Sequence, residues 1–147
     1  MDFFSSMRVS ASGLDAQTKR MNTISSNIAN AETTHGVGPN NGPYRRKDPI
    51  FAAQVDRESF GEILKNQMDE SVQGVQVVDI MEDEKGARMI YNPHHPDANP
   101  QGYVAMPNVN PVEEMANMIS AQRSYEANVT AMGAAKSMAL KALEIGR

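Results

Sequence analysis

Apolar residues recur with helical spacing at both ends of the chain and lose that spacing in between. From Phe3 to about Ala31, Met7, Leu14, Met21 and Ile28 fall every seven residues, with Ala11, Thr18 and Ile24 between them. That is a narrow stripe near the coiled-coil period. Asp15, Lys19, Asn22 and Ser26 make the opposite face polar. Gly13 weakens such a helix by roughly 1 kcal/mol relative to Ala. A lone helix of this kind is marginal in water and takes most of its stability from packing.

The C-terminal pattern is stronger. Asn110 is a good N-cap, Pro111 suits the first helical position, and Glu113 stands at capping-box spacing. No Pro follows, and Gly133 is the only Gly before Ile145. The spacing predicts about 35 residues of helix, roughly 50 Å long. Its apolar stripe runs through Met118, Ala121, Tyr125, Val129, Met132, Ala135, Ala139 and Leu143. Ala131, Ala134, Ala135, Ala139 and Ala142 keep the second half small enough for another helix to approach closely.

The middle, from about Thr33 to Pro107, opens on a Gly/Pro/Asn-rich loop from Thr34 to Pro43. Short strand-like runs follow at Pro49–Ala52, Val72–Ile80, Arg88–Tyr91 and Tyr103–Met106. Val75, Val77 and Val78 are β-branched and lie between Gly74 and the acidic Glu82-Asp83-Glu84. Residues 92–100 form a Pro-punctuated loop. Three or four short strands need helical cover or neighbours to be stable. The fold class expected is α+β: long N- and C-terminal helices and a small antiparallel β-rich insert. The division is a discontinuous helical domain of residues 1–36 and 108–147, and an insert of residues 37–107.

Charge follows the same division. Residues 1–36 carry three basic and three acidic groups, and residues 108–147 carry four of each. The whole net charge of −4 therefore sits in the middle segment. Neutral helices can crowd against copies of themselves, while the charged insert is solvated. Both helices also carry apolar residues off their main stripes: Phe3, Phe4 and Val9 at one end, Val112, Ile119 and Leu140 at the other. A two-helix hairpin would leave these exposed, and exposed apolar patches mark partner sites. The ends therefore read as an assembly surface.

Composition removes other classes. An acidic balance argues against nucleic-acid binding. No stretch is apolar enough to span a membrane. The N-terminus lacks the basic and apolar regions of a secretory leader. Cys is absent, so there is neither a disulfide framework nor thiol chemistry. With aromatics at 5 % and 11 Met, packing leans on adaptable side chains suited to non-identical neighbours as well as to plain core filling.

Candidate chemistry is thin, and neither a catalytic residue, a cofactor nor a metal is expected. His94, His95 and Asp97 are nearly adjacent in a Pro-held loop, not at the i, i+4 spacing of a helical metal site. They read as solvated loop residues. His35 has no obvious partner. Asp83-Glu84 reads as a solvated turn, and Glu113-Glu114 as acidic residues at the positive end of a helix. Nucleophile-elbow, P-loop and dinucleotide fingerprints are missing. Tyr44-Arg45-Arg46-Lys47 is a short basic run of the kind that guards a strand edge. An enzyme dependent on His94 or His95 is a distant third reading.

Two stretches carry a resemblance. Ser12-Gly13-Leu14-Asp15-Ala16-Gln17 with Met21 to Thr33, centred on Asn27-Ile28-Ala29-Asn30-Ala31, resembles the N-terminal signature of bacterial flagellar rod and hook proteins. Asn108-Val109-Asn110-Pro111-Val112-Glu113-Glu114-Met115 with Ala121 to Val129 resembles the C-terminal signature of the same family. Gly102-Tyr103-Val104, the 92–98 loop and the overall length are similar to a short, proximal rod member. Pro111 departs from the β-branched residue expected there, harmlessly at the first helical position.

The resemblance implies that both termini pair into an inner coiled-coil-like helical domain, and that many copies stack into a tubular drive shaft. It implies FlgB, FlgF, FlgG and FliE as neighbours, and export through the flagellar type III apparatus on an uncleaved signal into the periplasmic space. Absence of Cys fits that space. Helices that order only on assembly suit passage through a narrow channel. The interface residues expected are Met7, Leu14, Met21, Ile28, Met118, Tyr125, Val129 and Met132. Asn27 and Asn30 join them as register-setting polar groups, with helix capping as their alternative role. The competing class is a soluble coiled-coil adaptor that stops at a small defined oligomer.

Overall fold

The structure, a computed structural model, describes residues 3–36, 42–54 and 73–145. Among the described residues six elements follow in order: α1 (Phe3–Ala29), β1 (Lys47–Ala53), β2 (Val75–Glu82), β3 (Arg88–Tyr91), β4 (Tyr103–Met106) and α2 (Pro111–Ile145). The α+β class and the two long end helices are as the sequence predicts. Of the expected strand at 72–80, Val72 lies outside the described residues.

Both helix ends are built by local chemistry. Asn30 closes α1: its backbone N–H and its side-chain Nδ2 both donate to the Ser26 carbonyl, at 3.1 and 2.8 Å. Thr33 then bonds the Asn30 carbonyl through its backbone and its hydroxyl. At α2, Asn110 Oδ1 accepts from the Val112 N–H at 3.2 Å, an N-cap of the expected kind. Pro111 occupies the first helical position, where no N–H is required.

The strands form two two-stranded sheets, β1–β2 and β3–β4. Asp83 N–H donates to the Arg46 carbonyl at one end of β1–β2, and Gln54 N–H to the Gly74 carbonyl at the other, which is antiparallel pairing. In β3–β4, Arg88 faces Met106 and Tyr91 faces Tyr103. Gly102 leads into β4 at φ +82°, a conformation that favours glycine, where a Cβ would meet the Tyr91 ring at 2.8 Å. Most strand side chains are exposed, and such thin sheets depend on what lies against them.

The described residues gather into two compact units, each holding part of both helices and part of the insert. Of these residues the first unit draws on 3–19, 50–54, 73–79 and 122–145, the second on 20–36, 42–49 and 80–121. In the first unit, Ser12 Oγ donates to the Val9 carbonyl and accepts from Val75 N–H at 3.0 Å, tying the start of β2 to α1. Gly13 explains itself there. A Cβ at that position would stand 3.0 Å from Asn128 Nδ2, so the residue that weakens α1 lets α2 come close.

The deepest face of α1 is only partly the expected one: of the expected stripe, Ile24 lies on it. Ala16, Thr23, Ile24 and Asn27 are buried, whereas Met7, Leu14, Met21 and Ile28 are only half-buried and Ala11 and Thr18 are exposed. Small side chains permit the closest approach, so Ala16 and Thr23 share the inner face with Ile24 and Asn27, and the four large residues of the heptad stripe flank it. In α2 the expected stripe is turned inward at Met118, Ala121, Tyr125, Met132, Ala135 and Ala139, but Val129 and Leu143 point to solvent.

Candidate assembly site: a buried polar knot and an apolar rim

The core of the second unit is organised around polar side chains. Among the largest fully buried residues described are Glu114 and Asn27, beside Val104 and Pro107. Asn27, near the end of α1, uses its whole amide. Nδ2 donates to the Lys47 carbonyl at 2.8 Å and to Glu114 Oε2 at 3.0 Å. Oδ1 accepts from Lys47 N–H and from the Tyr44 hydroxyl, both at 2.9 Å. A primary amide has two donors and two acceptor positions, and all four are filled.

Glu114 stands in the first turn of α2. Its Oε1 accepts from Arg46 Nε at 2.9 Å while Oε2 serves Asn27. Arg46 also pairs with Asp48, and its backbone N–H donates to Asn108 Oδ1 at 3.1 Å. Burial works against the charged guanidinium, but the hydrogen bonds and charges of Asp48 and Glu114 outweigh it, and the Arg46 pKa is raised. A buried carboxylate without partners would be costly; here both oxygens are bonded, one of them to a cation.

These contacts correct several readings. Tyr44 and Arg46 do more than border a strand: their side chains, with the Lys47 backbone, form the wall of the knot. Glu114 is not placed by the helix terminus alone, since its side chain is 1 % exposed and committed to Arg46 and Asn27, whereas Glu113 is exposed. His35 is not without a partner. Its Nε2 lies 3.5 Å from Asp97 Oδ1, and the Thr34 hydroxyl donates to Asp97 Oδ2 at 2.6 Å. His95 Nδ1 accepts the Asp97 N–H at 3.1 Å, so this group fastens two loops together. No cluster with metal-ligand geometry occurs among the described residues.

The structure sorts the expected interface residues into three groups. Asn27 is fully buried and spends its bonds inside its own chain. Asn30 is half-buried with its amide on the Ser26 carbonyl, so its side chain does take the capping role. Met7, Leu14, Met21, Ile28, Met118, Tyr125 and Met132 are half-buried, and Val129 is exposed. A further apolar residue, absent from the expected set, stands at the start of α2. Met115 is exposed together with Val112 and Ile119, spaced three and seven residues from the first and so on one helix face.

Two family models match the segments that meet in the knot. Residues 7–36 match the flagella basal body rod protein family, and residues 101–145 match the C-terminal family of flagellar basal body rod FlgEFG proteins. The chain is 49 % identical over 152 residues to the flagellar basal-body rod protein FlgC of Bacillus subtilis (strain 168), covering 100 % of both. It is 44 % identical to FlgC of Borreliella burgdorferi, covering 99 % of this chain and 98 % of that one. FlgC of Salmonella typhimurium is 40 % identical, over 95 % of this chain and 94 % of its own.

Long end helices, a small β insert and these matched segments define a flagellar basal-body rod protein, a structural part of the basal body and not an enzyme. Within that class the chain belongs to the FlgC family.

Proposed function

We propose that the chain polymerises with copies of itself and with other rod subunits by helix packing, forming part of a shaft that transmits torque and encloses an export channel. The observation that carries this reading is the apolar surface left on α2. Val112, Met115, Ile119, Val129, Met138, Leu140 and Leu143 are all exposed in the single chain, with Val112 at 74 % and Leu143 at 73 %. A surface helix of a self-sufficient domain turns polar residues outward. A helix apolar on several sides is made to be covered on several sides.

The residues proposed to contact neighbours are Val129, with the half-buried Met7, Leu14, Met21, Ile28, Met118, Tyr125 and Met132. Asn27 and Asn30 act behind them, by holding the shape of α1 and not by direct contact. Residues 1–36 and 108–147 supply the assembling part and residues 37–107 the insert. FlgB, FlgF, FlgG and FliE are the proposed neighbours in the periplasmic space, reached through the flagellar type III apparatus without a cleaved leader. No helix among the described residues is long and apolar enough to cross a membrane.

The test is restoration of rods. A bacterium lacking its own copy of the gene, supplied with this chain, is expected to regain basal bodies with rods under the electron microscope. Purified chain that stops at a small oligomer and restores no rods would overturn the reading in favour of a soluble adaptor.

A further inference from the structure

The knot is an expensive way to build a core. Replacing a buried ion pair by well-packed apolar residues of similar volume is often neutral or stabilising. Yet two of the largest fully buried side chains here are an amide and a carboxylate, and Arg46 is drawn in to meet them. What such groups do better than apolar ones is reject wrong arrangements. A slip of α1 against α2 by one residue rotates a side chain by about 100° and moves it by about 1.5 Å. Apolar side chains tolerate that with modest loss. Asn27 does not, because its four bonds run to three residues on two separate segments, Tyr44 and Lys47 on one and Glu114 on the other, at 2.8 to 3.0 Å.

The lock sits beside the surface it would govern. Ile28, the residue after Asn27, is half-buried, and Met115, the residue after Glu114, is exposed within the apolar rim of Val112 and Ile119. Fixing Asn27 to Glu114 therefore fixes the setting at which Ile28 and that rim are presented. We propose that Asn27, Arg46 and Glu114 are positioning residues for assembly. They lock the end of α1 to the start of α2 in one register, so that the flanking apolar residues meet a neighbouring subunit in one way; holding the chain folded is not their main task. This rests on the rod-subunit reading above and deepens it.

The test separates register from stability. The double substitution Arg46→Met with Glu114→Leu fills the space with apolar atoms and leaves neither member of the ion pair buried without the other; Asn27 keeps its bonds to Lys47 and Tyr44 and loses one donor's partner, at the low end of about 1–3 kcal/mol. The purified full chain is expected to keep its thermal midpoint within about 3 °C of the natural chain, about the shift that 1 kcal/mol produces in a chain of this size. In the complementation assay, rods per cell are expected to fall by about tenfold or more, the equivalent of one step of 1.4 kcal/mol in assembly. Glu114→Gln is the second variant, in case the double variant fails to fold. It keeps one acceptor for Arg46 but turns an amide N–H₂ toward Asn27, so it is expected to fold and to assemble poorly.

Rods at the natural level from either folded variant would overturn the lock. So would a loss of midpoint that tracks the loss of rods in both, since the knot would then be an ordinary source of stability. Failure of the natural chain itself to restore rods would instead bring down the rod reading on which the lock rests.

Discussion

The side-chain amide of Asn27 donates to Glu114 Oε2 across 3.0 Å, joining residues 87 positions apart. One belongs to the N-terminal segment that matches a rod-protein family and the other to the C-terminal segment. The two segments thus meet through a buried bond within a single chain.

Asn27→Leu keeps the approximate volume and removes every bond. The Lys47 N–H and carbonyl, the Tyr44 hydroxyl and Glu114 Oε2 each lose a partner. With about 1–3 kcal/mol for each buried group left unsatisfied, and some relaxation, the loss is expected to be about 3–5 kcal/mol. Urea unfolding of the full chain measures it. A loss below about 1 kcal/mol would mean that water or a shifted backbone takes over these bonds.

Arg46 gives a prediction in pH. Its folded pKa lies above its ordinary value, so its contribution is complete at all pH values below the unfolded pKa and is lost only as pH rises through the still higher folded one. Arginine titrates above about pH 12, so this pair is insensitive to alkali across any working range. Arg46→Lys replaces it with a group that titrates near about pH 10.4. A lysine paired with Glu114 keeps its contribution below that value, so the difference in stability between the two chains is expected to widen as pH rises above about 10.4. Parallel denaturation curves over that range would show that the variant Lys makes no pair with Glu114.

Much of this architecture is legible in the residues, and the exceptions have a common cause. Asn110-Pro111 marks the start of α2 because capping and a missing N–H are local matters. β3 and β4 are legible because they are short, β-rich and bounded by turn residues. The inner face of α1 is only partly legible because hydrophobic spacing weighs large side chains, whereas Ile24 shares that face with Ala16, Thr23 and Asn27. The knot was half legible: Asn27 stood out in a signature, but nothing in Arg45-Arg46-Lys47 or Glu113-Glu114 says which member of each run turns inward. That is decided by partners distant in sequence. Arg46 finds Glu114 and Asn108, and its neighbour Arg45 faces solvent.

Gly13 sets two effects against each other. Ala in its place is worth up to about 1 kcal/mol in helix propensity. Its Cβ, however, would stand 3.0 Å from Asn128 Nδ2, which is itself held on the Ser124 carbonyl at 3.0 Å. Gly13→Ala alone is therefore expected to change stability by less than about 0.5 kcal/mol. Combined with Asn128→Ala, which clears the space, it is expected to stabilise by about 0.5–1 kcal/mol relative to Asn128→Ala alone. Thermal unfolding of the three variants measures the coupling. Gly13→Leu has no such remedy and is expected to cost about 1–3 kcal/mol.

Val129 separates folding from assembly. It is 46 % exposed, so a charge there is hydrated in the single chain, and Val129→Asp is expected to change its stability by less than about 0.5 kcal/mol. Between subunits the same charge would be buried against apolar side chains with no partner. A charge left buried and unpaired in an interface costs about 2–5 kcal/mol, enough to reduce association by about thirtyfold or more. Circular dichroism is expected to give an unchanged midpoint, while basal bodies from complemented cells lack rods. The neighbouring exposed position offers the control. Thr130→Asp lies on another side of α2, where its hydroxyl bonds the Glu126 carbonyl at 2.9 Å. It is expected to leave rod number largely intact. Rods in normal number from Val129→Asp would remove Val129 from the interface and move attention to the Val112, Met115 and Ile119 face.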